Sequence, residues 1–134
     1  MKVVIAYDGS EHARKALQQL RLLNGPIEAV LVSVVHGPVR SIRGTAIEVD
    51  PAEVEHARAA LDTVAEELAA FGITARTRLG TGEPADVVVE VAEEENAELI
   101  ILGTRGLNLA KRIVMGSVSS SVLHHAPCSV LVVR

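Results

Sequence analysis

Five short strand-like runs alternate with four stretches of helical period along this chain, and that alternation leaves few folds open to it. Val3–Tyr7 is an unbroken apolar run that stops at Asp8-Gly9-Ser10, which reads as a buried strand followed by a helix start. Ala13, Ala16, Leu17 and Leu20 then recur at helical spacing until Asn24-Gly25-Pro26 stops the helix. A second buried strand is predicted from Ile27 to Val35, and Gly37–Val49 has no clear period and reads as a loop. Asp50-Pro51-Ala52-Glu53 is a good helix opening, with Asp as cap and Pro in the first helical position. Val54, Ala57, Leu61, Val64 and Leu68 form one stripe ending near Gly72. Thr74–Leu79 alternates, with Arg76 and Arg78 on one side, and so predicts a strand wet on one face at a sheet edge. Glu83–Glu95 is the third helix, with Val87, Val88, Val91 and Ala92 inward, and Glu98–Leu102 the fourth strand. Gly103–Met115 is a long connection, Ser117–His125 a fourth helix, and Ser129–Val133 the closing strand.

The order βαβαβαβαβ has no linker and no repeat, so residues 1–134 are read as one domain. Right-handed crossovers turn it into a parallel sheet with helices on both faces, a three-layer αβα sandwich. The simplest doubly wound order for five strands is 3-2-1-4-5, which sets the first and fourth strands side by side in the middle. The loops after those two strands splay apart where the winding reverses, and the crevice between them begins at Asp8 and at Gly103.

Composition narrows what that crevice serves. Hydrophobic residues make up 49% of the chain and aromatics only 1%, so the core is aliphatic and no base-stacking platform for single-stranded nucleic acid exists. A formal charge of −4 gives no global attraction to nucleic acid or to an anionic membrane. No run approaches the roughly 20 apolar residues that cross a bilayer. The single cysteine, Cys128, cannot form an internal disulfide, which fits a reducing compartment. The expectation is a cytoplasmic protein that contacts neither membrane nor nucleic acid.

The connection after the fourth strand carries the chemistry. It reads Gly103-Thr104-Arg105-Gly106, then nine residues, then Gly116-Ser117. Glycines let the backbone approach a bulky anion and turn successive N–H groups toward it. Ser117 opens a helix whose first N–H groups carry the positive end of the helix dipole, and Ser119, Ser120 and Ser121 add hydroxyls. Arg105, Lys111 and Arg112 are the only charges between Gly103 and Ser121, a local positive excess inside an acidic chain. Each feature alone has a packing or capping explanation. Together, at the expected switch point, they predict a phosphate site. Asp8 faces the same crevice as either a turn residue before Gly9 or an acceptor for the uncharged end of a ligand, since a carboxylate repels phosphate.

Other signals are weaker. Gly80-Thr81-Gly82-Glu83-Pro84-Ala85 fits a loose dinucleotide fingerprint but follows the edge strand, and reads as a turn and helix start. There is no GxxxxGK[ST] segment. His124, His125 and Cys128 match no zinc spacing, Ser10-Glu11-His12 reads as a helix cap rather than a nucleophile and base, and Glu93-Glu94-Glu95 reads as a solvated face.

Val4-Ile5-Ala6-Tyr7-Asp8-Gly9-Ser10, the glycine spacing of the Gly103–Ser117 segment and the closing His125–Val133 together resemble the universal stress protein family. The likeness extends over the whole chain in element order. The spacing Gly, two residues, Gly, nine residues, Gly-Ser is similar to that family's ATP-binding signature, here without the Pro that precedes the aspartate in some ATP-binding members. The resemblance implies an adenine nucleotide alpha hydrolase-like fold and ATP as ligand, with a Mg or Mn ion. It implies that Ala6, Tyr7 and Asp8 hold the ribose side and that Val34 contacts adenine through its backbone. Leu102 and Gly103 would line the nucleotide, and Arg105, Gly106, Gly116, Ser117, Val118 and Ser119 would surround the phosphates. The apolar closing strand, left at an edge, predicts a homodimer, and the resemblance agrees. The leading expectation is a nucleotide-dependent regulatory protein of the stress response with a further protein partner. The alternatives are a slow ATPase and an interaction module that binds AMP or cyclic AMP.

Overall fold

The computed structural model describes residues 1–35, 50–104 and 116–134. Over these the chain forms β1 (Lys2–Ala6), α1 (Glu11–Gln19) with a 3-10 turn at Leu20–Leu22, β2 (Glu28–Val35) and α2 (Pro51–Ala69). It continues through β3 (Thr74–Thr81), α3 (Pro84–Glu94), β4 (Leu99–Gly103), α4 (Ser117–His125) and β5 (Ser129–Val133). The strands form one parallel sheet in the order β3-β2-β1-β4-β5, as the connection rules require. The 37–49 loop, and Arg105, Gly106, Lys111 and Arg112 of the glycine-rich connection, lie outside the described residues.

The helices start where local chemistry supplies caps. Ser10 is extended and its Oγ accepts the Ala13 N–H at 3.1 Å, while Asp50 Oδ1 accepts the Ala52 N–H at 2.9 Å ahead of Pro51. α2 gives way to β3 through Gly72 at φ +77°, a conformation that costs little only without a Cβ.

The period-two pleat sorts the strand residues onto two faces. Val3, Ile5, Tyr7, Ala29, Leu31 and Ile101 pack with Ala13, Ala16 and Leu17 of α1 and Leu61, Val64 and Leu68 of α2. Val4, Val30, Val32, Ile100 and Leu102 pack with Ala85, Val88, Val91 and Ala92 of α3 and Val122 of α4. Both cores are aliphatic apart from Tyr7. Burying such side chains is the main favourable contribution to folding.

Two local expectations change. Ala85, rather than Val87, is fully buried on α3, and Val87 is only partly buried. It lies against Gly80, where an added Cβ would come within 2.3 Å of Val87 Cγ1. The β3–α3 decoy segment is a strand end, a glycine at φ +116° and a helix start. The second change concerns charge. Glu95 is drawn out of the solvated face by the arginines of β3, while Glu93 and Glu94 stay exposed, Glu94 with one arginine paired to it. Arg78 binds Glu94 at 2.6 Å and Glu95 at 3.3 Å, and Arg76 binds Glu95 and, at 3.5 Å, Glu28. Lys2 lies 3.6 Å from Glu95, whose side chain is only 10% exposed. The charged side of β3 is thus tied by ion pairs to the end of α3 while its arginines stay partly exposed.

Candidate functional site

β1 and β4 run side by side, with Val3, Val4 and Ile5 opposite Leu99, Ile100 and Ile101. The chain leaves β1 for α1 on one face of the sheet and leaves β4 for α4 on the other. The two connections therefore diverge, and the carboxyl ends of the central strands open the crevice expected at a switch point.

On its β1 side, Ala6 is half-buried and Tyr7 is buried, with its N–H donating to the Val32 carbonyl at 2.8 Å. Asp8 is exposed, and its Oδ1 accepts the Ser10 N–H at 2.9 Å. This is the turn role foreseen for Asp8. A carboxylate has two oxygens and about four acceptor positions, so the same side chain keeps capacity for another donor. Gly9 at φ +82° makes the tight turn possible. Val34, near the end of β2, is half-buried beside Gly80.

On the β4 side, Leu102 is buried in the second core and Gly103 ends the strand opposite Val133. Gly103 has a packing reason the sequence reading missed. A Cβ there would sit 2.6 Å from His12 Cβ and 2.9 Å from the His12 carbonyl carbon, so the glycine lets α1 touch the end of β4.

Thr104 is the junction. Its N–H donates to the Val133 carbonyl at 2.9 Å, and its carbonyl accepts the Gly116 N–H at 2.7 Å and the Ser119 hydroxyl at 3.2 Å. Its own hydroxyl lies 3.4 Å from His12 Nδ1. Residues 104 and 116, the two ends of the glycine-rich connection, are therefore bonded to each other. Gly116 is the extended residue before α4 and offers no side chain to cap it. An α-helix leaves its first amides without intrahelical acceptors, so the N–H groups of Ser117, Val118 and Ser119 present a concentrated positive potential at this point. Ser117 is exposed and Val118 half-buried. Ser119 is only 1% exposed, and its hydroxyl also donates to the Gly116 carbonyl at 3.0 Å. Its side chain braces the helix start, and its backbone amide is one of those without an intrahelical acceptor.

The site combines Asp8, Gly103, Gly116, Ser117, Val118 and Ser119, with Val34 along the neighbouring strand. Arg105 and Gly106 lie outside the described residues. Thr104 and His12 were not singled out from the sequence, because their contact joins positions 92 apart and leaves no local pattern. Groups with displaced pKa values lie elsewhere: hydrogen bonding from Arg76 lowers Glu95, bonding to Glu94 raises Arg78, and burial raises Cys128. The Cys128 thiol is thus less ready to ionise than a free cysteine. Among the described residues no cluster of three or more His, Cys, Asp or Glu could hold a metal ion.

A doubly wound sheet with an uncapped helix start and one close-packed glycine, Gly103, at its switch point places the chain among the three-layer α/β proteins of this strand order. More narrowly, the model of the universal stress protein family matches residues 1–134, and the chain belongs to that family. A protein of Staphylococcus aureus (strain USA300) assigned to the universal stress proteins is 52% identical over 59 residues, 43% of this chain and 36% of that protein. The match thus spans about a third of the length of the curated relatives. The hypothetical protein MJ0577 superposes with a TM-score of 0.82 at 28% identity, covering 98% of this chain and 94% of its own. The universal stress protein UspA from Lactobacillus plantarum superposes with a TM-score of 0.84 at 23% identity, over 100% and 97% of the two chains. These neighbours share the adenine nucleotide alpha hydrolase-like fold. Solved structures of the same fold include a universal stress protein in complex with cAMP, 24% identical with a TM-score of 0.72 over 100% of this chain and 97% of that one. Another, from Archaeoglobus fulgidus in complex with dAMP, is 23% identical with a TM-score of 0.68 over 100% and 98%.

Proposed function

We propose that this protein binds ATP in the crevice between the ends of β1 and β4 and acts as a nucleotide-dependent regulator rather than as an enzyme. One observation carries the reading: Gly116, bonded to Thr104, starts α4 at the switch point with no side chain to cap it. Amides held in this way suit phosphate oxygens, because their dipoles are fixed before the ligand arrives. In this reading the backbone N–H groups of Ser117, Val118 and Ser119 take the phosphates, together with Arg105 and Gly106. Asp8 and the Ala6–Tyr7 backbone face the ribose, and Val34 meets the adenine through its main chain. Leu102 and Gly103 line the nucleotide. A Mg or Mn ion would be carried mainly by the phosphates and water, as Mg commonly is beside a bound nucleotide.

Binding would change which partner the protein engages. β5 is the outermost strand of the sheet, and its apolar residues support pairing with a second copy. Sedimentation at micromolar concentration tests that dimer, and a monomer would refute it.

A second reading takes a monophosphate, AMP or cyclic AMP, as the ligand, and the cAMP and dAMP complexes of structural neighbours favour it. Denaturing the purified protein and identifying the released small molecules separates the two. ATP is the expected product, AMP or cAMP would support the second reading, and failure to bind any added adenine nucleotide would refute both.

A further inference from the structure

The hydrogen bonds of Thr104 reach three elements from the end of β4. Its main chain joins β4 to β5 through Val133 and to the start of α4 through Gly116 and Ser119, and its hydroxyl meets His12 on α1. His12 is itself held. Gly103 packs against its Cβ and main-chain carbon so closely that any side chain at 103 would displace it. α1 is fixed in turn by the Ser10 cap, which Asp8 stabilises by accepting the Ser10 N–H. A path therefore runs from Asp8 on one wall of the crevice through the Ser10-capped first turn of α1, which carries His12, and across to Thr104, Gly116 and Ser119 on the other.

We propose that Thr104, held in place by His12, is a positioning residue that sets the α4 amides for the phosphate end of the nucleotide. The inference rests on the nucleotide-binding reading and assigns a role to two residues outside its ligand contacts. Phosphate recognition by main-chain amides depends on where a helix start is placed, since the amides have no rotamers with which to adapt. Thr104 fixes that start through one carbonyl with two donors, and the direction of the carbonyl depends on the threonine that bears it. Loss of the hydroxyl frees Thr104 from α1 while leaving its main-chain bonds possible. The adenosine end of the ligand, on the β1 and β2 side, does not depend on this link.

Calorimetric titration with ATP and with adenosine tests the assignment, using the wild-type protein, Thr104→Val, Thr104→Ser, His12→Ala and the His12→Ala/Thr104→Val double variant. Thr104→Val should weaken ATP by about tenfold, the scale of one hydrogen bond, with adenosine changed by less than about twofold. Thr104→Ser should restore ATP binding to within about threefold. His12→Ala should weaken ATP by a similar factor, and the double variant should be no weaker than either single one, because both remove the same contact. Equal losses for ATP and adenosine, no loss for either, or losses that multiply in the double variant would each overturn the inference while leaving nucleotide binding intact. A wild-type protein that binds neither compound would overturn the functional reading and this inference together. If Thr104→Val does not fold, the ATP-to-adenosine ratio of His12→Ala decides.

Discussion

The two ends of the sheet use polar groups in opposite ways. At the amino-terminal rim, Lys2, Glu28, Arg76, Arg78, Glu94 and Glu95 satisfy one another across four elements. At the carboxyl-terminal rim the polar atoms belong mostly to backbone and hydroxyls, and they converge on the start of a helix that Gly116 leaves without a side-chain cap. Mutual pairing makes the first rim a clamp on α3 and β3. Incomplete pairing at the second is what the proposed nucleotide site draws on. Density of charge is therefore a poor guide to function in this molecule, and the state of the backbone is a better one.

The contrast can be broken by substitution. Ser117→Trp places a large ring at the exposed first residue of α4 and should weaken ATP by more than about 100-fold, while the midpoint of thermal unfolding barely moves, because exposed positions tolerate change. Calorimetry and a melting curve on the same sample check this. Gly103→Ala forces a Cβ to 2.6 Å from His12 Cβ and should destabilise the fold by about 1–3 kcal/mol in denaturant titration, the range for overpacking. At the other rim, Glu95→Gln removes the acceptor shared by Arg76, Arg78 and Lys2 and should cost about 1–2 kcal/mol at neutral pH with ATP affinity unchanged. Hydrogen bonding from Arg76 lowers the Glu95 pKa, so its contribution is present above the ordinary carboxylate range and is lost as pH falls through the lowered value. The difference between wild type and Glu95→Gln should shrink accordingly in acid unfolding. Arg14→Ala breaks a 2.7 Å pair with Glu67 in which both side chains are about half exposed, and should change stability by less than about 1 kcal/mol.

Much of this architecture could be read from the chain. Unbroken apolar runs, the alternation of Thr74–Leu79 and the 3.6-residue period gave all nine main elements, and the connection rules gave their order. Of the candidate site, what depends on local chemistry was legible: the helix start at Ser117 and the turn at Asp8-Gly9-Ser10. What escaped depends on contacts between distant segments. Glu94 and Glu95 look solvent-bound until β3 brings Arg76 and Arg78 against them. Gly103 shows its packing role only once α1 lies against it, and both that contact and the Thr104–His12 bond join residues that share no sequence window.

Titration of isotope-labelled protein with ATP, followed by amide chemical shifts, tests the central claim most directly. The account predicts saturable shifts concentrated at Asp8–Ser10 and Ser117–Ser119, with Lys2, Glu28, Arg76 and Glu95 unmoved. Shifts that gather at the ion-paired rim, or that never saturate, would contradict it.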